Sequence, residues 1–312
     1  MQRACLISFG SAASINFVPA GLKMMAPEYY VFTGRDGEAI PRHVTHVLID
    51  EALKFVPAWA FYKHPNIQEV ICHDGVEIIQ TEAFECCPRL RRVIMPGVKV
   101  IEQQAFNECR ALTYIECGKL EIIGEMAFRE CTSLSSIDLP SIKIVEEWAF
   151  NGCTNLISVK LGKDLVSLRG WAFFRCPSLE RISLPLKNGM IDNDSVFQRC
   201  VKLNHVDLVE GAMLDETVAV LLLEEWKNDM NEEIDTINQV LPNTSAGNFH
   251  EVGGKAQVIR AWIRSVLRKI VRYKAEHQRY LNEAATALHS ALPNDIVLKN
   301  ILPFLELPPH TF

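Results

Sequence analysis

The stretch Ala127-Phe128-Arg129-Glu130-Cys131-Thr132-Ser133-Leu134-Ser135-Ser136-Ile137-Asp138-Leu139-Pro140 decides the fold, because the chain repeats its apolar positions again and again in one frame. Ala-Phe pairs stand at 60–61, 83–84, 105–106, 127–128, 149–150 and 172–173, with Val196-Phe197 as a degenerate seventh. Three residues after the Phe comes Cys87, Cys109, Cys131, Cys153, Cys176 or Cys200, replaced in the first unit by His64. Three further on stand Leu90, Leu112, Leu134, Leu156, Leu179 and Leu203. An I-x-L pair follows, as in Ile137-Asp138-Leu139, and then Pro or Gly. Self-similarity at 22 to 24 residues is the signature of a stacked-repeat architecture.

The spacing has a mechanical meaning. Two apolar residues at period 2 place both side chains on one face of a short strand, and the Pro or Gly after them ends it. One coil of this length has no interior of its own, so neighbours must stack and share one. The frame extends backwards through Ile67, Val70 and Cys72, and again through Val44, Val47 and Ile49, which predicts about eight coils in a parallel sheet. Residues 29 to 43, with Tyr29-Tyr30-Val31-Phe32, are placed to cover the first rung, since an open rung templates aggregation.

These residues resemble the BspA-type leucine-rich repeat, whose signature is A-F-x-x-C-x-x-L-x-x-I-x-L-P, over residues 40 to 208. The resemblance implies a parallel-sheet solenoid used for recognition, and it implies no fixed location, because such repeats occur on bacterial surfaces and inside eukaryotic microbes. The segments Trp262-Ile263-Arg264, Tyr273-Lys274-Ala275-Glu276-His277 and Leu292-Pro293-Asn294-Asp295-Ile296-Val297 look like the tail of uncharacterised microalgal members.

After Leu208 the apolar spacing turns helical. Asp215 is a natural N-cap for a helix whose face carries Val218, Leu222, Trp226, Met230, Ile234, Ile237 and Leu241 up to Pro242. A second helix is predicted over 255–291, striped by Ile259, Trp262, Ile263, Val266, Leu267, Ile270 and Val271, with a short helix from Asn294 or Asp295 to Pro303. Residues 215–235 hold eight acids and 255–279 eight bases, so the two helices are expected to pair. The domain reading is therefore a disordered start or leader over 1–24, a solenoid over 25–208 and a helical extension over 209–312.

A net charge of −6 gives no global attraction to nucleic acid or anionic lipid, and no apolar run is long enough to span a bilayer. Of the ten cysteines, six fall on the inward repeat position and Cys117 on a strand core position rather than in metal-binding C-x-x-C pairs, which favours a reducing, cytoplasmic setting, with one of Cys86 and Cys87 facing outward. Gly253-Gly254-Lys255 lacks the earlier glycine and the hydroxyl of a phosphate loop. The nine histidines form no ligand or triad pattern, so neither metal, cofactor nor catalytic set is assigned.

Alternation assigns outward positions on the strands instead: Glu69, Ile71, Arg92, Ile94, Tyr114, Glu116, Asp138, Lys160, Arg181, His205 and Asp207, with Ser136, Ser158 and Ser183 among them. Their mixed charge fits a protein or peptide partner, and Ile71, Ile94 and Tyr114 offer a small apolar centre. The leading expectation is a non-enzymatic, protein-binding scaffold. A second is an adaptor reaching nucleic acid or a membrane surface through the basic helix 255–279, and a third is a surface or adhesion protein if residues 1–24 are a signal peptide.

Overall fold

The computed structural model describes residues 29–35, 37–209, 223–247 and 254–291. The predicted I-x-L segments form eight strands that, in chain order with the rest, are β2 (His46–Ile49), β4 (Glu69–Ile71), β6 (Arg92–Ile94), β8 (Tyr114–Glu116), β10 (Ser136–Leu139), β12 (Ser158–Leu161), β14 (Arg181–Leu184) and β15 (His205–Leu208). Residues 29–32 do more than cover this stack. They form β1 (Tyr29–Phe32), which pairs in parallel with β2 and adds a rung of its own.

Two features go beyond the repeat reading. The main wall is two sheets rather than one, because the ladder β1-β2-β4-β6-β8 stops and resumes as β10-β12-β14-β15. Six coils also carry a second, two-residue strand before the Ala-Phe pair: β3 (Phe55–Val56), β5 (Ile78–Ile79), β7 (Val100–Ile101), β9 (Ile122–Ile123), β11 (Ile144–Val145) and β13 (Ser167–Leu168), and in the last unit a single bridge from Ile191 to Leu168 stands in its place. These pair continuously into a narrower six-stranded parallel sheet that passes the break without interruption.

Between the two walls lies the core. The rings of Phe61, Phe84, Phe106, Phe128, Phe150, Phe173 and Phe197 stack face to face along the solenoid at 4.7 to 5.8 Å between centroids, and Phe32 of β1 closes the row at 4.8 Å. The repeat cysteines sit beside them, fully buried, and each thiol donates to the carbonyl of the Phe one coil earlier: Cys87 to Phe61, Cys109 to Phe84, Cys131 to Phe106, Cys153 to Phe128, Cys176 to Phe150 and Cys200 to Phe173, at 3.0 to 3.2 Å. The conserved spacing of Cys in the repeat thus has a local reason, since a small apolar side chain with one weak donor fits that seat. Burial pushes the thiols of Cys109, Cys131, Cys153 and Cys176 well above their ordinary range, which leaves them protonated and able to donate. Cys87 is buried and Cys86 beside it half-buried, as the adjacency required.

His64 takes the thiol's place in the first unit. Its Nδ1 accepts from the Ile67 amide at 3.3 Å, so Nε2 carries the hydrogen and donates to the Pro41 carbonyl one coil earlier at 3.2 Å. Burial lowers its pKa below the ordinary 6.5, against the opposing pull of the bond to the Pro41 carbonyl.

In most coils two positions adopt a left-handed backbone without being glycine, the residue before Ala and the second after Phe, as in Met126 at φ 55° and Glu130 at φ 57°; after Phe150 the second position is Gly152. Such a conformation costs on the order of 1 kcal/mol. Neighbouring coils offset it: the amides of Lys63, Cys86, Glu108 and Glu130 each donate to the next coil at 2.8 Å.

The C-terminal elements close the far end. The helix α1 (Leu223–Val240), a short 3-10 turn (Leu241–Asn243) and α2 (Lys255–Ala291) bring Met230, Ile237, Leu241, Ile259, Trp262, Ile263, Val266 and Ile270 onto the last coil's core. Polar groups finish the open ladder. Asn238 accepts from the Val206 amide at 2.8 Å, the Ala246 carbonyl accepts from Arg199, and the buried Lys255 ammonium donates to the carbonyls of Leu203 and Leu241. The predicted N-cap Asp215, the positions Val218 and Leu222, the segment 1–24 and the short helix ending near Pro303 lie outside the described residues.

Two outcomes follow from this core. Phe106→Ala, which opens the middle of the ring stack, lowers unfolding free energy by about 3–5 kcal/mol in denaturant titrations. The stability His64 contributes is fully present above pH 6.5 and is lost as pH falls below it; His64→Cys restores the repeat residue and flattens that acid-side slope.

Candidate functional site

The outward residues of the main wall align in two columns because parallel register pairs equivalent positions. The first column runs Tyr29, His46, Glu69, Arg92, Tyr114, and past the break Ser136, Ser158, Arg181, His205. The second runs Val31, Leu48, Ile71, Ile94, Glu116, and then Asp138, Lys160, Ser183, Asp207. All of these side chains are exposed or half-buried.

In the first half of the wall, the first column is one linked polar line. The Tyr29 hydroxyl donates to Glu69 at 2.7 Å, the Arg92 guanidinium approaches the other Glu69 oxygen at 3.3 Å, and the same guanidinium lies 5.0 Å from the centre of the Tyr114 ring. His46 stands 4.0 Å from Glu69, and its ring meets Tyr29 edge-on at 5.3 Å. Burial and the Glu69 hydrogen bond push the Tyr29 phenol up to about 12. Beside this line the second column is apolar for four successive rungs, Val31, Leu48, Ile71 and Ile94.

The second half is different in kind. Arg181 holds both oxygens of Asp207 at 3.2 and 3.1 Å, and His205 meets the same carboxylate at 3.1 Å. Glu116, Asp138 and Lys160, which flank the break, enter none of the ion pairs found on this wall among the described residues. They line a cleft of about 500 Å³ together with Thr113, Tyr114 and Ser158.

Alternation along each strand found the outward positions from Glu69 onward but stopped two rungs short. Tyr29, Val31, His46 and Leu48 extend both columns. His46 and Leu48 flank Val47 in the frame already traced, so the same rule reaches them; Tyr29 and Val31 belong to a strand outside the repeat period.

Two overlapping stretches, residues 42–141 and 99–214, match the model of the BspA type leucine rich repeat region, in six copies. The chain belongs to the BspA-type leucine-rich-repeat family. Among solved structures it is similar to a leucine rich repeat protein of T. pallidum, at 27% identity over 52% of this chain and 79% of that one, with a TM-score of 0.46. It is also similar to leucine-rich repeat proteins from Bacteroides ovatus (22% identity, 54% of this chain and 56% of that one, TM-score 0.40) and Eubacterium ventriosum (20%, 55% and 52%, 0.42). No curated protein matches it.

The helical extension of this BspA-type chain pairs its charges less uniformly than the acid–base balance of the two helices suggested. Lys269 reaches Glu233 of α1, and Tyr273 and Trp262 hydrogen-bond to Asp229 and to the Glu233 carbonyl, but Arg260 pairs with Asp194 of the solenoid. Arg272 and Arg279 pair within α2, with Glu276 and Glu283. Arg264 and Arg268 are exposed and line a shallow cleft with Leu267 and Val271. Lys255, at the place where a phosphate-loop lysine would stand, is spent on backbone carbonyls, and burial lowers its pKa. No helix among the described residues is long and apolar enough to cross a membrane.

The Tyr29–Glu69 bond is open to a direct check. An unfolded phenol ionises near 10 while the folded one holds its proton to about 12, so the stability this contact contributes is present below pH 10 and lost as pH rises toward 12. Tyr29→Phe removes that alkaline loss from thermal melts and deletes one late-titrating step from the tyrosinate absorbance curve.

Proposed function

We propose that this chain is a non-enzymatic scaffold that binds a protein through the outward face of its main wall, centred on Ile71, Ile94 and Tyr114. The observation that carries the reading is the run of four apolar side chains, Val31 to Ile94, in a solvent-facing column beside a polar line already fixed by internal bonds. Apolar side chains in a contiguous outward row mark contact surfaces, and a pre-bonded polar neighbour such as Glu69 or Arg92 loses little side-chain freedom when a partner arrives. Family membership supports the same reading, since the repeat builds a scaffold around its own core and leaves this wall free. The residues past the break, Asp138, Lys160, Arg181, His205 and Asp207, supply a polar rim.

The row of protonated, buried thiols supports a reducing compartment, and the cytoplasm is the proposed location. An adaptor role for the basic helix has one supporting observation, the exposed pair Arg264 and Arg268 beside Val271. It ranks second because Lys255, Arg260, Lys269 and Arg272 already have partners within the chain.

Arg92→Glu and Tyr114→Ala, introduced separately, reduce recovery of partner proteins on the tagged full chain at least about five-fold, the weight of a typical interface residue, with the thermal midpoint within a few degrees of the parent. Unchanged recovery with both variants refutes the sheet face as the site.

A further inference from the structure

The break in the main wall is local and chemically unfinished. Elsewhere, the carbonyl preceding each strand accepts from two amides one coil on: Thr45 from Gln68 and Glu69, Gln68 from Arg91 and Arg92, Arg91 from Thr113 and Tyr114, and, beyond the break, Ser135 from Ile157 and Ser158. Thr113 is the next carbonyl in this series, yet neither Ser135 nor Ser136 donates to it among the backbone bonds of the described residues. At the other end of the strand, Cys72 and Met95 donate to the Ile94 and Glu116 carbonyls, whereas the Cys117 amide makes no such bond and only its thiol approaches Asp138, at 3.9 Å.

The opening is confined to one wall. In the narrow sheet Ile122 and Ile123 still pair with Ile144 and Val145, and the Phe106 and Phe128 rings stay stacked at 5.3 Å. Coils that are shut along one side and parted along the other leave the cleft of about 500 Å³ between β8 and β10. Its floor is apolar: Ile115 is only partly buried, while its equivalents Val70, Val93, Val159 and Ile182 are fully buried. Its rim carries Glu116, which accepts from the Tyr114 hydroxyl at 3.4 Å, and Asp138, with Lys160 one rung further on; neither carboxylate enters an ion pair among the described residues, and the lining keeps one net negative charge.

We propose that this cleft takes an extended segment of the partner protein that carries an arginine or lysine. The inference rests on the protein-binding reading above and names the chemistry of the segment. Three complementarities select that occupant. Free strand-edge amides and a free carbonyl pair with the backbone of an extended chain, which is the chemistry of strand addition. A half-covered isoleucine receives an aliphatic side chain of alternating outlook. Two carboxylates without an ion-pair partner among the described residues favour a guanidinium or ammonium, by charge-assisted hydrogen bonds that a neutral side chain does not offer.

Amide hydrogen exchange on the full-length chain tests this with three blocked seven-residue peptides of alternating Thr and Val: one with a central Arg, one with Glu there, and one with Arg but N-methylated at alternate residues. In the free protein the amides of Ser135, Ser136 and Cys117 exchange faster than those of Arg92 and Ser158 by at least about a hundred-fold, as open and laddered amides differ. The Arg peptide slows the first three. Its affinity falls at least about ten-fold with N-methylation, with Glu in place of Arg, and on the Glu116→Gln/Asp138→Asn variant. Slow exchange at Ser135 and Ser136 in the free protein, no protection at millimolar Arg peptide, or equal binding of all three peptides overturns the proposal. Loss of partner recovery with Arg92→Glu alongside an unresponsive cleft leaves the sheet-face reading in place; retained recovery with Arg92→Glu and Tyr114→Ala removes that reading itself.

Discussion

Each coil of this protein is completed by the next. The Phe rings each stack on the ring one rung away, at 4.7 to 5.3 Å between centroids through the first half of the row. The polar groups obey the same dependence: a thiol reaches back to the previous Phe carbonyl, and a left-handed amide reaches forward to the next coil. Stability in such an array is a sum of nearest-neighbour terms rather than a property of one central core, so the two ends, where a neighbour is missing, become the critical places.

The two ends are finished differently. At the start, β1 supplies a ninth rung with a ring, Phe32, tilted against Phe61, and a phenol tied to Glu69 two strands away. At the finish, helices supply what a strand would have: Asn238 meets the Val206 amide, Ala246 meets Arg199, and Lys255 neutralises two carbonyls. A buried ammonium is costly unless its protons are used, and here a depressed pKa and two carbonyl acceptors show how the cost is limited.

Most of this was legible in the sequence because the repeat writes its core in residue types. The Ala-Phe-Cys-Leu-Ile-Leu frame locates the eight strands and the buried ladders, and the change to helical spacing locates α1 and α2. Which side chains face out followed from alternation. What alternation does not encode is association between neighbours: that Glu69 binds Tyr29 and Arg92 while Glu116 binds no arginine depends on which residues register brings together. The second sheet was present in the text as the recurring pairs Ile78-Ile79, Ile122-Ile123 and Ile144-Val145, but two residues are too short a run to show a period. The break after β8 left no mark at all, since its residues Tyr114-Ile115-Glu116-Cys117 fit the frame as well as any other unit.

The atoms that receive the C-terminal helices include backbone groups of the last coil, the Leu203 carbonyl, the Val206 amide and the Arg199 amide, and the Arg199 amide stands where the Arg175 amide of the coil before meets Gln198 of the next. The extension therefore stands in for a further turn at these atoms, while Asp194, paired with Arg260, ties it to this particular turn.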